Sequence, residues 1–330
     1  MATAKSVLAD VAEALPQPIV VRGVRTDLRI WLALVTVYLL WGSTYLGIKY
    51  AIDTIPPLLM GSVRFLVAGG VLYALAIRTG DTRGDRVGSR QWIAALVIGG
   101  LMLVGGNGGV ILAEQYVPIG VVALLVATSP LWMAIIDRVV FGRRLPATAI
   151  IGLVVGFGGV AFLTGSPGKG HINLFGAALA LASPVCWAIG SVFTRHVKLP
   201  VRPLVAASME MLWAGLLFGL VSLLTGELGR MHWQHVSTTS IVALAYLIVF
   251  GSLVGFSTYV WLLRSAPLSL VSTYAYANPV VAVILGAVFI GEALNGRVLI
   301  AGGIILAAVA LIVIARNRAV TSQMPVGQEA

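Results

Sequence analysis

Charge is what this sequence has least of. Only 10% of its 330 residues are Asp, Glu, Lys or Arg, where soluble domains carry roughly 25%. With 59% hydrophobic residues, a water-facing fold is excluded and a chain embedded in a bilayer is implied. Acid is scarcer still. Against 12 Asp and Glu stand 22 Lys and Arg, a net charge of +10. The basic residues fall between apolar runs, not on one polar face. That argues against nucleic acid as a partner and fits orientation signals and membrane lipid. The single cysteine, Cys186, excludes a disulfide framework within the chain. No H-E-x-x-H occurs, and His232 and His235 read as polar loop residues, so no metal is expected. In the run GSPGKG at 165–170, Gly170 stands where a phosphate loop needs Ser or Thr, and no strand precedes it. No cofactor and no ATP hydrolysis are therefore expected. The first 28 residues hold Lys5, Asp10, Glu13, Arg22 and Arg25 without the apolar core of a secretory signal, and read as a tail.

What is present is long apolar runs. Windows of about 20 residues give ten spanning candidates, near 30–49, 58–77, 92–112, 118–136, 147–164, 174–194, 203–224, 241–262, 267–290 and 298–315. The fourth and ninth open on Pro118 and Pro267, where proline costs no helical hydrogen bond. With the N-terminus inside, the inner segments hold 17 Lys and Arg and the outer ones hold 4, namely Lys49, Lys169, Arg230 and Arg297. This bias puts both termini in the cytoplasm.

One stretch recurs. Trp41 to Gly70 ends one span, turns through Pro56 and Pro57, and starts another that contains Arg64. Trp187 to Leu216 repeats the plan with Pro203 at the turn and Glu210 in place of the arginine, at an offset of 146. Pro118 matches Pro267, Pro130 matches Pro279 and Gly142 matches Gly291 at an offset of 149. Five spans per copy is an odd number, so the copies must be inverted. Inverted repeats are the usual build of secondary transporters. The expected fold is an all-α integral membrane protein with a tail at 1–29, repeats at 30–164 and 174–315, and a tail at 316–330.

Three motifs carry a family resemblance: LLWGSTYLGIK at the first span, PPLLMGSVRF at the second, and YAYANPVVAVILG followed by GEAL at the ninth. The chain resembles the EamA family of the drug/metabolite transporter superfamily over about residues 30 to 315. The resemblance implies ten helices in two inverted repeats, with spans 1–4 and 6–9 around a central cavity and spans 5 and 10 outside. It also implies a bacterial inner-membrane exporter of amino acids or related metabolites.

Helical spacing selects candidates for the site. Tyr38, Trp41, Tyr45 and Lys49 share one face of the first span. Trp41 and Tyr45 suit a cavity for an organic solute with a polar end, and Lys49 is a gate candidate. An aromatic belt or plain helix packing is the competing reading. Arg64 costs at least about 2.5–3.5 kcal/mol at a helix centre. It suits a bidentate grip on a substrate carboxylate, and the alternatives are a structural ion pair or snorkelling to outer headgroups. Glu210 is read as a substrate or proton site, or as a hydrogen-bonding partner for Trp213. Asn107 and Glu114 are seven apart on one face of the third span. Asn107 is a substrate or packing residue, and Glu114 is a gate or proton residue unless it is simply hydrated. Thr128, Ser129 and Pro130 match Ala277, Asn278 and Pro279. Prolines there free carbonyls, so Thr128, Ser129, Tyr274 and Asn278 are candidates to bind a substrate, with Pro130 and Pro279 as bending points. Trp187, Ser191, Ser252 and Tyr259 are weaker cavity candidates. Gly152 and Gly156, with Gly302 and Gly303, read as close packing within the chain or in a homodimer.

The expected function is export of small zwitterions, amino acids first, by alternating access. Export of cationic or aromatic drugs is the alternative, and dependence on Glu210 over Arg64 would favour it. An enzyme would need a nucleophile–base pair or metal cluster at membrane depth, and none is found. A channel would need a continuous polar stripe, whereas the polar groups fall in two separated halves.

Overall fold

The computed structural model describes residues 28–79, 87–142, 147–164, 173–194, 196–231 and 233–321. The segments at 1–27, 80–86, 143–146, 165–172 and 322–330, with Arg195 and His232, lie outside the described residues. Among those described there is no strand. The longer helical runs among the described residues follow in order: α1 Leu28–Ala51, α2 Pro57–Thr79, α3 Ser89–Ala113, α4 Ile119–Val126 with Ser129–Phe141, and α5 Ala147–Thr164. The second half gives α6 Leu174–Phe193, α7 Pro203–Leu224, α8 Thr238–Ser265, α9 Leu268–Val271 with Tyr274–Leu285 and Gly286–Ile290, and α10 Gly296–Thr321. Seven of them are long and apolar enough to cross a membrane, and shorter apolar helices run over Ile150–Leu163, Ala277–Ile290 and Gly296–Leu311.

Departures from the expected spans have local causes. α4 breaks at Ala127 and Thr128, just ahead of Pro130, which has no N–H to donate to Val126 O one turn back. α9 breaks at Ser272 and Thr273, while Pro279 lies inside the unbroken helix Tyr274–Leu285. α10 runs to Thr321, past the boundary expected at 315. α3 and α8 each change to π-helix, over Gly100–Asn107 and Leu247–Phe256. The two π segments nearly coincide at the repeat offset of 149.

The packing repeats when the halves are exchanged. α2 packs on α7, α5 on α10, and α4 on α9. α1 packs on α8 and α9, and in matching fashion α6 packs on α3 and α4. The closest approaches use small residues. Ser62 Oγ donates to Gly215 O at 2.9 Å across α2 and α7, and Phe65 stacks on Phe218 at 5.8 Å. Gly156 of α5 faces Leu131 and Ala308, and Gly302 of α10 faces Leu124, so both pack within this chain.

Two carboxylates tie the halves together at the end that the charge bias assigns to the outside. Glu227, after α7, accepts from the N–H groups of Leu58 and Leu59 at 3.3 and 2.9 Å and from Ser222 Oγ at 3.1 Å. Glu292, after α9, accepts from Ile119 N at 2.7 Å and Gly120 N at 3.1 Å. Each caps the N-terminus of a first-half helix. There orphan N–H groups and the helix dipole favour a negative charge.

Candidate functional site

A cavity of about 60 Å³ lies between α1, α2, α3, α4, α6, α8 and α9. It is lined by Trp41, Thr44, Tyr45 and Ile48 of α1, Arg64 and Phe65 of α2, and Leu103, Gly106, Asn107 and Val110 of α3. Val126, Ser183, Trp187, Gly251, Phe256, Tyr274 and Asn278 complete it. Seven of the thirteen predicted substrate or cavity residues therefore meet here: Trp41, Tyr45, Arg64, Asn107, Trp187, Tyr274 and Asn278.

Arg64 is 2% exposed, so its side chain does not snorkel. Its Nε donates to Ser252 Oγ at 2.9 Å and its Nη1 to Asn107 Oδ1 at 3.3 Å. Its Cζ stands 4.9 Å from the Phe65 ring centre. Both hydrogen-bonding partners are neutral and sit in the π segments of α3 and α8. A guanidinium has five donors, so these two bonds leave others for a ligand. Gly251 makes the fit possible, because a Cβ there would stand 2.8 Å from Arg64 Nη2.

Aromatic rings form much of the remaining wall. Trp41 and Trp187 meet edge to face at 5.2 Å, and Trp41 lies 4.8 Å from Tyr259 and 5.5 Å from Tyr274. The two tryptophans are placed reciprocally. The Trp41 indole covers Gly255 of α8 and that of Trp187 covers Gly106 of α3, each too close for a Cβ. Trp41 Nε1 donates to Gly251 O at 3.2 Å, and Trp187 Nε1 to Tyr259 Oη at 3.0 Å. With its amide nitrogen donating to Tyr38 O at 3.1 Å and Tyr274 O at 3.2 Å, Asn278 keeps its Oδ1 as an acceptor.

Six predicted residues do not line the cavity, Ser252 among them, whose Oγ accepts from Arg64 Nε. Ser191 and Tyr259 stand behind Trp187, with hydroxyls 2.9 Å apart. Thr128 and Ser129 turn their hydroxyls onto Leu125 O and Val126 O, both at 2.7 Å. Glu210 is fully buried with neither Oε hydrogen-bonded, its backbone against Gly99 of α3. Trp213 Nε1 is likewise unbonded, so the expected Glu210–Trp213 hydrogen bond is not formed. Pro130 lies in the first turn of the second half of α4. Tyr38, at the end of the α1 face, hydrogen-bonds Thr273 Oγ1. Lys49 Nζ donates to Glu114 O at 3.1 Å. Glu114 follows α3 by one residue and is fully buried, with neither Oε hydrogen-bonded. Burial pushes its carboxyl well above the usual range, opposed by Lys49, reinforced by Glu292 and opposed by Arg64.

The residues missed by sequence reading are mostly apolar or glycine. Ser183, one turn before Trp187 on the same face, carried a legible signal, and its Oγ donates to Gly106 O at 2.7 Å. A roomier groove of about 740 Å³ lies between α1, α2, α7 and α8, lined by residues such as Leu32, Leu204, Val254 and Trp261. It contains none of the predicted site residues.

The EamA-like transporter family profile matches residues 28–165 and again 174–314. The chain belongs to this family. It is a multi-pass membrane transporter of the EamA type. It is 37% identical over 286 residues to the uncharacterized inner membrane transporter YedA of Escherichia coli K12, covering 86% of this chain and 90% of that one. A probable amino-acid metabolite efflux pump of Salmonella typhimurium is 27% identical, over 84% of this chain and 92% of its own. A solved crystal structure of a protein with 23% identity superposes with a TM-score of 0.63, covering 87% of this chain and 98% of that one. At that identity the likeness speaks for the fold alone.

Proposed function

We propose that this EamA transporter is a bacterial inner-membrane secondary carrier that exports small zwitterionic metabolites, amino acids first, by alternating access. In this reading ten spans form two inverted units, 30–164 and 174–315. The tails at 1–29 and 316–330 are both cytoplasmic. The observation that carries it is Arg64, a buried guanidinium at the wall of a small cavity, held by neutral partners and sharing that wall with aromatic rings. That pairing of one charged anchor with an amphipathic aromatic wall suits a carboxylate on a compact organic body. The Salmonella relative's name points the same way. A 60 Å³ cavity holds a few water-sized bodies. Loading an amino acid therefore requires the walls to part, as rocking of helix groups would do. Drug export as the alternative leaned on Glu210, which lies outside the cavity lining.

The test uses purified protein in liposomes. Labelled neutral amino acids are expected to exchange and to compete with one another, and Arg64→Gln to abolish exchange while the protein stays folded. Movement of organic cations without amino acids would overturn the reading.

A further inference from the structure

The groove of about 740 Å³ shares no lining residue with the central cavity, so the solute site gives it no task. Its walls come from one end of four helices: Leu32, Ala33 and Thr36 near the start of α1, Ala76 near the end of α2, the start of α7, and the second half of α8. This is the end that the charge bias assigns to the cytoplasm. α1 and α7 each pack on α8, and α7 also packs on α2. Leu32, Leu204 and Val254 stand exposed on the rim. An exposed apolar rim on a membrane-spanning helix faces acyl chains, so the groove opens sideways to the inner leaflet.

Its charge is of one sign. The described stretches that build this end, 28–40, 70–79, 196–209 and 247–266, hold Arg29, Arg78, Lys198, Arg202 and Arg264 and no Asp or Glu. Arg202 lines the groove, held through Nη1 on Ala76 O at 2.8 Å. Arg264 Nη1 donates to Pro200 O at 2.7 Å and to Val201 O at 2.8 Å, which fixes the turn that carries Arg202. Arg202 is also the N-cap of α7 and makes no side-chain cap bond, and Leu204 and Val205 of the first turn line the groove beside it. The helix gives those N–H groups no acceptor of its own, and its dipole favours an anion there. Seven residues before Arg264, roughly 10 Å deeper along α8, Ser257 lines the same groove. It is 7% exposed and its Oγ has no hydrogen-bond partner. An unmet hydroxyl in a dry apolar wall is costly, so it marks a place for an acceptor. These features call for one molecule, with an anion at the surface, an acceptor below it and apolar chains beyond. A zwitterionic solute does not fit, since its ammonium finds no acid along these walls.

We infer that this groove is a binding site for an anionic phospholipid of the inner leaflet. The phosphate sits on Arg202 and the start of α7, an ester carbonyl accepts from Ser257 Oγ, and an acyl chain lies along Leu32 and Val254. A guanidinium beside free helix N–H groups holds phosphate oxygens of any origin. The apolar length of the groove beyond them is what selects a lipid over a soluble phosphate. The inference is independent of the solute and of the role of Arg64.

The full chain in phosphatidylcholine vesicles tests this by tryptophan quenching, with phosphatidylglycerol or phosphatidylcholine carrying brominated chains added in steps. Trp261 lines the groove, and subtracting the emission of a matched Trp261→Phe protein isolates its signal. Brominated phosphatidylglycerol is expected to quench Trp261 at about fivefold lower mole fraction than brominated phosphatidylcholine, the effect of one basic residue on an anionic headgroup. Arg202→Gln should erase that preference. Arg78→Gln makes the same charge change at the same end but outside the groove, and should keep it. Ser257→Ala should weaken both lipids alike, by about 2–10-fold, because both carry the esters. If Arg202→Gln does not fold, Ser257→Ala and Arg78→Gln decide by themselves. Equal quenching by the two lipids, or a preference lost in Arg78→Gln as in Arg202→Gln, would reduce the site to general surface charge. Relief of the quenching by glycerol phosphate would make it a site for a soluble anion, and no quenching of Trp261 by either lipid would mean that no chain enters. Each of these three results sinks the inference, and none of them bears on amino-acid exchange.

Discussion

Replacing Gly251 by alanine tests the site through a residue that has no chemistry of its own. The added methyl would stand 2.8 Å from Arg64 Nη2 and 3.0 Å from Thr44 Cγ2, where ordinary contact begins near 3.4 Å. The guanidinium must therefore retreat by 3.4 − 2.8, or about 0.6 Å. It has little freedom to do so, being 2% exposed and fixed through Nε on Ser252 at 2.9 Å. The bond to Asn107 is already long at 3.3 Å, and a shift of that size breaks it. A hydrogen bond to a charged group contributes about 1.5–3 kcal/mol. Misplacing the anchor should raise the half-saturating concentration for amino acids by about 10–150-fold. Gly303→Ala on α10 is the control, because a Cβ there meets nothing within 4 Å. Counterflow in proteoliposomes gives the constants, and a thermal melt in detergent shows that both variants fold. A folded Gly251→Ala protein with wild-type half-saturation would refute the claim that Arg64 must stand where it does.

Arg64→Lys is expected to recover little of the exchange lost in Arg64→Gln, since a point charge cannot reproduce the guanidinium fork. Equal activity of Lys and Arg at 64, read by the same counterflow, would contradict this. Glu227→Gln and Glu292→Gln each give up a charged cap on two backbone N–H groups and should each cost about 1–2 kcal/mol. The two losses should add, because the caps sit on different helices, and denaturant or thermal melts of the double variant measure it. Glu210→Gln should leave amino-acid exchange within about twofold and should not lower the melting temperature, as it removes a buried carboxylate that has no hydrogen bond. A large loss of exchange would put Glu210 back in the transport path.

Much of the helical plan was legible because bilayer thickness imposes it on composition. The matched residues were legible for the same reason that they matter. Gly142 and Gly291 both end a helix with positive φ, 64° and 72°. Trp41 and Trp187 both cover a glycine on the opposite half. The face holding Trp41 and Tyr45 was readable from spacing alone; of Asn107 and Glu114, paired by the same spacing, Asn107 lines the cavity and Glu114 does not. The π segments were not readable. A run such as Leu247–Phe256 carries no compositional mark of i→i+5 bonding, yet Ser252 and Asn107, the two partners of Arg64, both lie in such segments. Repeat position equated Arg64 with Glu210, but it could not say how far the cavity extends along the α2–α7 pair. The cavity takes in Arg64 and stops short of Glu210.

The two halves differ in chemistry where their folds agree. Glu292 follows Gly291 and holds the N-terminus of α4, while Arg143 follows the matching Gly142. Arginine has donors only. It cannot accept the N–H groups of a helix start, and its charge is repelled by the positive end of the helix dipole. The clamp formed by Glu292 therefore has no counterpart of the same chemistry at position 143. Glu227 adds a second carboxylate clamp on the same face as Glu292. Parting the halves at that face means exposing four backbone N–H groups and two carboxylates to water. In the proposed alternating-access cycle these clamps would weight the energy separating the two forms, and they can be altered without touching any residue that lines the cavity.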